Sequence, residues 1–294
     1  MGNGLPSDLE LGPVHLEVAD LNRSQTFYES TLGLDGRAGG DDEIRLSAGD
    51  RILVVLHEKP GASPKPRNAT GLYHYALLLP GRPELGRALQ NLLDADYPLQ
   101  GASDHLVSEA VYLADPDGNG IELYRDRPRE SWSYDDGRLR MATEPLDMHG
   151  VLDAGKELSA GAAVPDGSVV GHVHLHVGDL AEAEQFYGEV IGFDLMTRYG
   201  RQASFYSAGG YHHHLGINVW AGVGAPRSPE DAAGLRHFTV VIPGANELGE
   251  LADRLQKAEV DYEEHSGSLE VADPAGNKAH FVLASVMDDE LGSE

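Results

Sequence analysis

The chain has 294 residues, 41% of them hydrophobic, enough for two ordinary domains with real cores and against wholesale disorder. Forty-eight acidic residues against 22 basic ones leave a formal charge of -26, a field that repels nucleic acid and anionic lipid. Cysteine is absent, which excludes disulfides, thiolate metal sites and cysteine nucleophiles, and no apolar run approaches the roughly 18 residues that a membrane span needs.

The N-terminal stretch MGNGLPSDLELG lacks the basic start and apolar run of a secretory signal. With the missing thiols, this fits a cytoplasmic protein. The acidic excess is spread along the chain and lysine is scarce, as expected of a protein working in high salt. Full stability in salt-free buffer would contradict that expectation.

In chain order, Val14–Val18 alternates as a strand does, and Leu21–Leu32 behind it follows a helical pattern. Arg51–Leu56 reads as a further strand. The order starts again with a strand at Leu72–Leu78, a helix at Arg82–Leu93, and strands at Ala110–Leu113 and Gly120–Tyr124. Residues 129–169 are polar and rich in Gly and Asp, with a helical pattern near Leu146–Ala154. They read as a linker packed on the surface.

Beyond the linker the chain repeats itself. VHLEVADLNRSQTFYESTLGLD at Val14 matches VHLHVGDLAEAEQFYGEVIGFD at Val173. GLYHYALLLPGRPELG at Gly71 matches GLRHFTVVIPGANELG at Gly234, and LADPDGNGIELY at Leu113 matches VADPAGNKAHFV at Val271. Residues 10–128 and 170–285 are therefore two copies of one domain, and each copy divides into two β-α-β-β-β halves. The expected fold is α+β: four βαβββ modules paired into two tandem domains.

The last strand of the first copy holds a carboxylate. Ile121 and Leu123 share one of its faces and Glu122 lies on the other. Glu122 is either on the solvated face of an edge strand or a metal ligand. His15 and His74 sit at matching places in the two first strands. If those strands pair about a local twofold, both imidazoles meet Glu122 on one concave face. Two imidazoles and one carboxylate on one side of an octahedral ion leave three positions open, which suits non-haem Fe(II) and dioxygen. A lone strand histidine is more often an ordinary core or surface residue, but three ligand-type residues in matching places are not independent. Aligning VVLHEKP with ELYRDRP sets Val54 opposite Glu122. Valine cannot coordinate, so the set stops at three and does not close to the four ligands that suit a metal-dependent isomerase.

At these residues the chain resembles the vicinal oxygen chelate superfamily, whose members are built from paired βαβββ modules. Within it the chain most resembles the two-domain extradiol ring-cleaving enzymes of the catechol-2,3-dioxygenase-like kind. The likeness rests on GLYHYALLLP, LQGASDHLVSEAVYLADPDGNGIELYRDRP and GYHHHLGINVWAG, and spans nearly all of the chain except the linker and both ends. It implies an iron triad at His15, His74 and Glu122, with His105 and Tyr112 managing protons nearby. In the family's two-domain enzymes the working iron belongs to the C-terminal copy. Here that copy offers a second candidate cluster, His174, His213, His214, His237 and His280, with His280 replacing the carboxylate. The run His212–His214 falls where the family's acid/base histidine lies.

The resemblance further implies Fe(II) as cofactor, with Mn(II), Ni(II) or Zn(II) as alternatives. It implies a small catecholic aromatic and O2 as reactants, and association into a homo-oligomer. Two rival functions differ in simple ways. A glyoxalase-like isomerase or lyase turns over without oxygen, and a non-catalytic aromatic-binding protein holds its ligand without a metal.

Overall fold

The structure is a computed structural model that describes residues 4–40, 42–159 and 161–287. The Val-x-Asp-Leu signature shared by the two copies is a helix start. Asp20 accepts a hydrogen bond from the Arg23 N–H at 2.9 Å, and Asp179 accepts from Ala181 and Glu182. These carboxylates satisfy first-turn donors that the helix itself cannot. Helices Leu21–Phe27 and Leu180–Glu184 begin there. Each continues into a wider turn and stops at a left-handed glycine, Gly33 or Gly192. Helices Arg82–Asp94 and Ala245–Lys257 take the same place in the other modules. Their buried stripes, Leu85, Leu89 and Leu92 in one and Leu248, Leu251 and Leu255 in the other, face the core.

The Asp-Pro-x-Gly-Asn turn ties modules together. Asp115 accepts from the backbone of Asp117 and Asn119, from Asn119 Nδ2 and, at 3.1 Å, from the Tyr28 hydroxyl. Asp273 repeats the pattern with Asn277 and, at 3.0 Å, Tyr187. Tyr28 and Tyr187 are the tyrosines of the Phe-Tyr repeat. These bonds therefore join the two modules within each copy.

The sheets join modules of different copies. One eight-stranded sheet runs 262–265, 268–272, 278–283, 234–242, 10–18, 51–58, 43–48, 35–40. At its centre strand Glu10–Val18 lies antiparallel to Gly234–Ile242, with His15 opposite His237. The nine-stranded sheet runs 144–145, 101–104, 108–114, 120–126, 71–78, 169–176, 215–218, 203–207, 194–199. There Gly71–Leu78 lies antiparallel to Val169–His176, with His74 opposite His174. The first module thus pairs with the fourth, and the second with the third.

Four βαβββ modules in an α+β fold are as expected. The local twofold within one copy is not formed, so His15 and His74 lie in different sheets. The physical reason is that repeated modules present interchangeable strand edges. Strand length then matches partners: both central strands of the first sheet have nine residues, and both of the second have eight. The linker does more than cover the surface. Its helix, Met148–Gly155, packs so closely on Arg82–Asp94 that a Cβ at Gly86 would strike the Val151 carbonyl, and Glu144–Pro145 extends the second sheet. Among the described residues, no helix is long and apolar enough to cross a membrane.

Candidate active site

The second sheet curls around a cavity of about 410 Å³. Strand Gly71–Leu78 supplies His74, Gly120–Asp126 supplies Glu122 and Val169–His176 supplies His172, all three buried. The strand of Glu122 is interior to the sheet, between 108–114 and 71–78, so a solvated edge does not explain the carboxylate. Glu122 Oε2 lies 3.0 Å from His74 Nε2 and 3.1 Å from His172 Nε2. One donor atom from each residue falls within 4.8 Å of the other two. Gly120 makes the approach feasible: it pairs with His74, and a Cβ there would run into the Tyr73 carbonyl oxygen.

Charge at this point is concentrated. Burial alone would raise the Glu122 carboxyl, but the imidazoles of His172 and His74 hold it well below the usual carboxylate range. Burial lowers His172 to about 4 against the pull of Glu122. The three side chains together offer two imidazole nitrogens and one carboxylate oxygen. His74 Nε2 is buried with no hydrogen-bond partner although Glu122 is near, because its alignment is wrong for donation. An orphaned ring nitrogen beside a buried carboxylate fits a cation, and the hard-and-borderline N2O donor set suits Fe(II), Mn(II), Ni(II) or Zn(II).

Beside this point stand Tyr112, the cross-strand partner of Glu122, and His105. His105 Nδ1 donates to the Ala142 carbonyl at 2.7 Å; in that tautomer Nε2 is an acceptor, and the Tyr112 hydroxyl lies 2.6 Å from it. The linker carbonyl thereby sets the tautomer. Burial, then the charge of Glu122, pushes the Tyr112 phenol well above its ordinary value, so it remains a donor. Met141 and Phe205 form apolar wall, and part-exposed Tyr73, Tyr199 and Trp220 also line the cavity. Among the described residues, none of the lining is Lys or Arg.

The fold agrees with a wider comparison. The family described as "Glyoxalase/Bleomycin resistance protein/Dioxygenase superfamily" matches residues 10–123 and again 169–281. The chain belongs to this superfamily. A superfamily relative from Bacillus subtilis (strain 168), named catechol-2,3-dioxygenase, is 46% identical over 282 residues, covering 94% of this chain and 98% of its own. Among solved structures, a putative dioxygenase from Bacillus subtilis subsp. subtilis str. 168 superposes with a TM-score of 0.63 at 11% identity, over 95% of this chain and 86% of that one. Glyoxalase I from Zea mays gives 0.59 at 14%, over 97% and 95%. Both structures share the superfamily fold.

Not every expected residue reaches the cavity. His15 does not join His74 and Glu122: it stacks on His237 at 4.1 Å and bonds to His57 at 3.0 Å in the other sheet. Val54 also lies in that sheet. The cluster drawn from the second copy is divided for the same reason. His174 and His213 line the cavity, His237 and His280 belong to the first sheet, and His214 Nδ1 accepts from the Ala208 backbone.

His172 is the residue that the repeat comparison misses, and a countable signal marks it. His74 precedes its helix cap Gly81 by seven residues, and His237 precedes Gly244 by seven. Seven residues ahead of Asp179 stands His172, and seven ahead of Asp20 stands Pro13. Matching Val-His-Leu blocks selects His15 and His174, two residues too late.

Proposed function

We propose that this chain is a metal-dependent extradiol ring-cleaving dioxygenase that opens a catechol with O2, with Fe(II) held by His74, Glu122 and His172. The observation that carries the reading is the meeting of two imidazoles and one carboxylate at one wall of a cavity sized for a small aromatic. The 46% identity to a catechol-2,3-dioxygenase over nearly the whole chain supports it. When bound, the ion supplies a chelation point for two neighbouring substrate oxygens and room for dioxygen beside them.

The chain's own residues have defined tasks. His74, Glu122 and His172 would hold the ion at the cavity wall. Phe205 and Met141 take the ring and exclude water. Tyr112 gives its one phenolic proton to His105 Nε2 and presents an oxygen lone pair, an acceptor, to a hydroxyl of the bound molecule. His213, whose ring reaches the cavity, stands where a substrate hydroxyl proton can be accepted. Among the described residues the lining has no Lys or Arg to pair with a carboxylate, so neutral catechols are the preferred class over carboxylated ones.

Anaerobic loading with Fe(II), followed by air and catechol, tests the reading. Stoichiometric oxygen uptake with a yellow ring-opened product is expected. Turnover of a 2-oxoaldehyde–thiol adduct without oxygen, and none of catechol with it, would overturn the proposal in favour of an isomerase.

A further inference from the structure

Behind the cavity runs a hydrogen-bonded chain that the proposed chemistry leaves unused. Asp126 ends the strand that carries Glu122. Its Oδ1 lies 2.8 Å from Nε2 of His212, a fully buried residue. A carboxylate oxygen only accepts, so the His212 proton is on Nε2. His212 Nδ1 lies 2.7 Å from Nδ1 of His213. An imidazole that carries its one proton on Nε2 has a bare Nδ1, so the bridging proton belongs to His213 Nδ1. Neutral imidazole has one N–H, which leaves His213 Nε2 as a lone pair. Among the described residues nothing hydrogen-bonds to that nitrogen. The rings are also packed in place: Tyr211 stacks on His212 at 4.1 Å, and His172 lies 4.1 Å from His213.

We propose that Asp126 and His212 are positioning residues that lock His213 in a single tautomer, Nδ1 protonated and Nε2 bare toward the cavity. A substrate hydroxyl approaching His213 then meets an acceptor; the other tautomer would present it with a second donor. Asp126 fixes which His212 nitrogen carries the proton, and His212 passes that choice to His213. This rests on the catechol reading only for its consequence in turnover. The tautomer itself is a property of the chain.

The test uses the full chain, 15N-labelled and loaded with diamagnetic Zn(II), with the His213 ring identified by its disappearance in His213→Gln. Long-range imidazole 1H–15N spectra should show His213 protonated at Nδ1. His212→Phe keeps an aromatic ring against Tyr211 but removes the acceptor, and should move the proton to Nε2. His212→Asn offers a carbonyl oxygen near the former Nδ1 and should restore the Nδ1–H form. In the iron-loaded enzyme His212→Phe should lower kcat/KM for catechol by about 10–100-fold, the usual cost of losing an outer partner, and His212→Asn should recover most of it. An Nε2–H tautomer in the parent protein, or an unchanged one in His212→Phe, overturns the proposal. If no catechol is turned over at all, the catechol reading fails while the spectra still decide the tautomer.

Discussion

The two sheets are built from the same module and differ where chemistry is concentrated. In the second sheet His74, Glu122 and His172 meet. The corresponding positions of the first sheet hold His237, His280 and Pro13, by distance to the helix caps and by strand register. Tyr112 pairs with Glu122, whereas Glu270 pairs with His280. Gly120, sixth in its turn motif, is matched by Lys278, whose ammonium holds Glu270 at 2.6 Å. One sheet thus presents a buried carboxylate with orphaned imidazole nitrogen. The other has its acidic group bound to a lysine and one donor replaced by proline. A shared fold sets where ligands can stand, and three or four side chains decide whether they do.

The largest expected effect comes from breaking the first set. Glu122→Ala or His172→Ala should weaken metal binding by at least about 100-fold, beyond the usual cost of losing an outer partner. His15→Ala and His237→Ala should leave it unchanged. Metal content after dialysis reads this directly. Loss of metal in His15→Ala with retention in His172→Ala would reverse the assignment of the two sheets.

The reciprocal change is to build the missing set. Pro13→His together with His280→Glu gives the first sheet a histidine seven residues before Asp20 and a carboxylate on the last strand, beside the existing His237. The expected result is a second bound ion per chain. A stoichiometry that stays at one would show that Lys278 and the stacked His15–His237 pair prevent closure.

Much of this comparison is legible in the amino-acid sequence. The repeats give four modules because Asp20 and Asp179 cap helices and Asp115 and Asp273 order turns, all local chemistry recorded in local motifs. Glu122, His74, His105 and Tyr112 are legible for the same reason. Nothing local excludes His15, because strand pairing between distant modules is a long-range choice among nearly equivalent edges. A one-dimensional match cannot see which edge wins. His172 escapes because the Val-His-Leu match is strong and hides a two-residue offset. The part of the linker that touches the cavity, Met141 to Thr143, carries no motif at all.

Both sheets should lose stability in acid. Burial, and then the neighbouring His280, lower His237 to about 3, and burial lowers His214 to about 4. The unfolded chain takes up those protons near 6.5. Folded pKa values below the unfolded one mean stability that is present above pH 6.5 and lost as pH falls toward 3–4. The slope is at most roughly 1.4 kcal/mol per pH unit for each histidine. Urea midpoints of the metal-free chain should therefore drop between pH 7 and pH 5, and His237→Gln should flatten that drop. An equally steep curve in the variant would place the acid sensitivity elsewhere.

The smallest effect concerns the bonds that hold each copy together across the two sheets. Tyr28→Phe and Tyr187→Phe each remove one buried donor from a carboxylate, at a cost of about 1–3 kcal/mol. Asp115 makes the pair unequal with pH. Burial raises its carboxyl from 3.8 to about 6, and the Tyr28 hydroxyl is among the donors that restrain the rise. A folded pKa above the unfolded one means stability that is complete below pH 3.8 and is lost as pH passes through about 6. Without Tyr28 the carboxyl climbs further, so Tyr28→Phe should cost more at pH 8, where Asp115 must ionise, than at pH 4, where it is protonated in the folded state of both proteins. A cost independent of pH would mean that Tyr28 stabilises by packing and by accepting from the Tyr75 hydroxyl, and that the Asp115 turn does not depend on it.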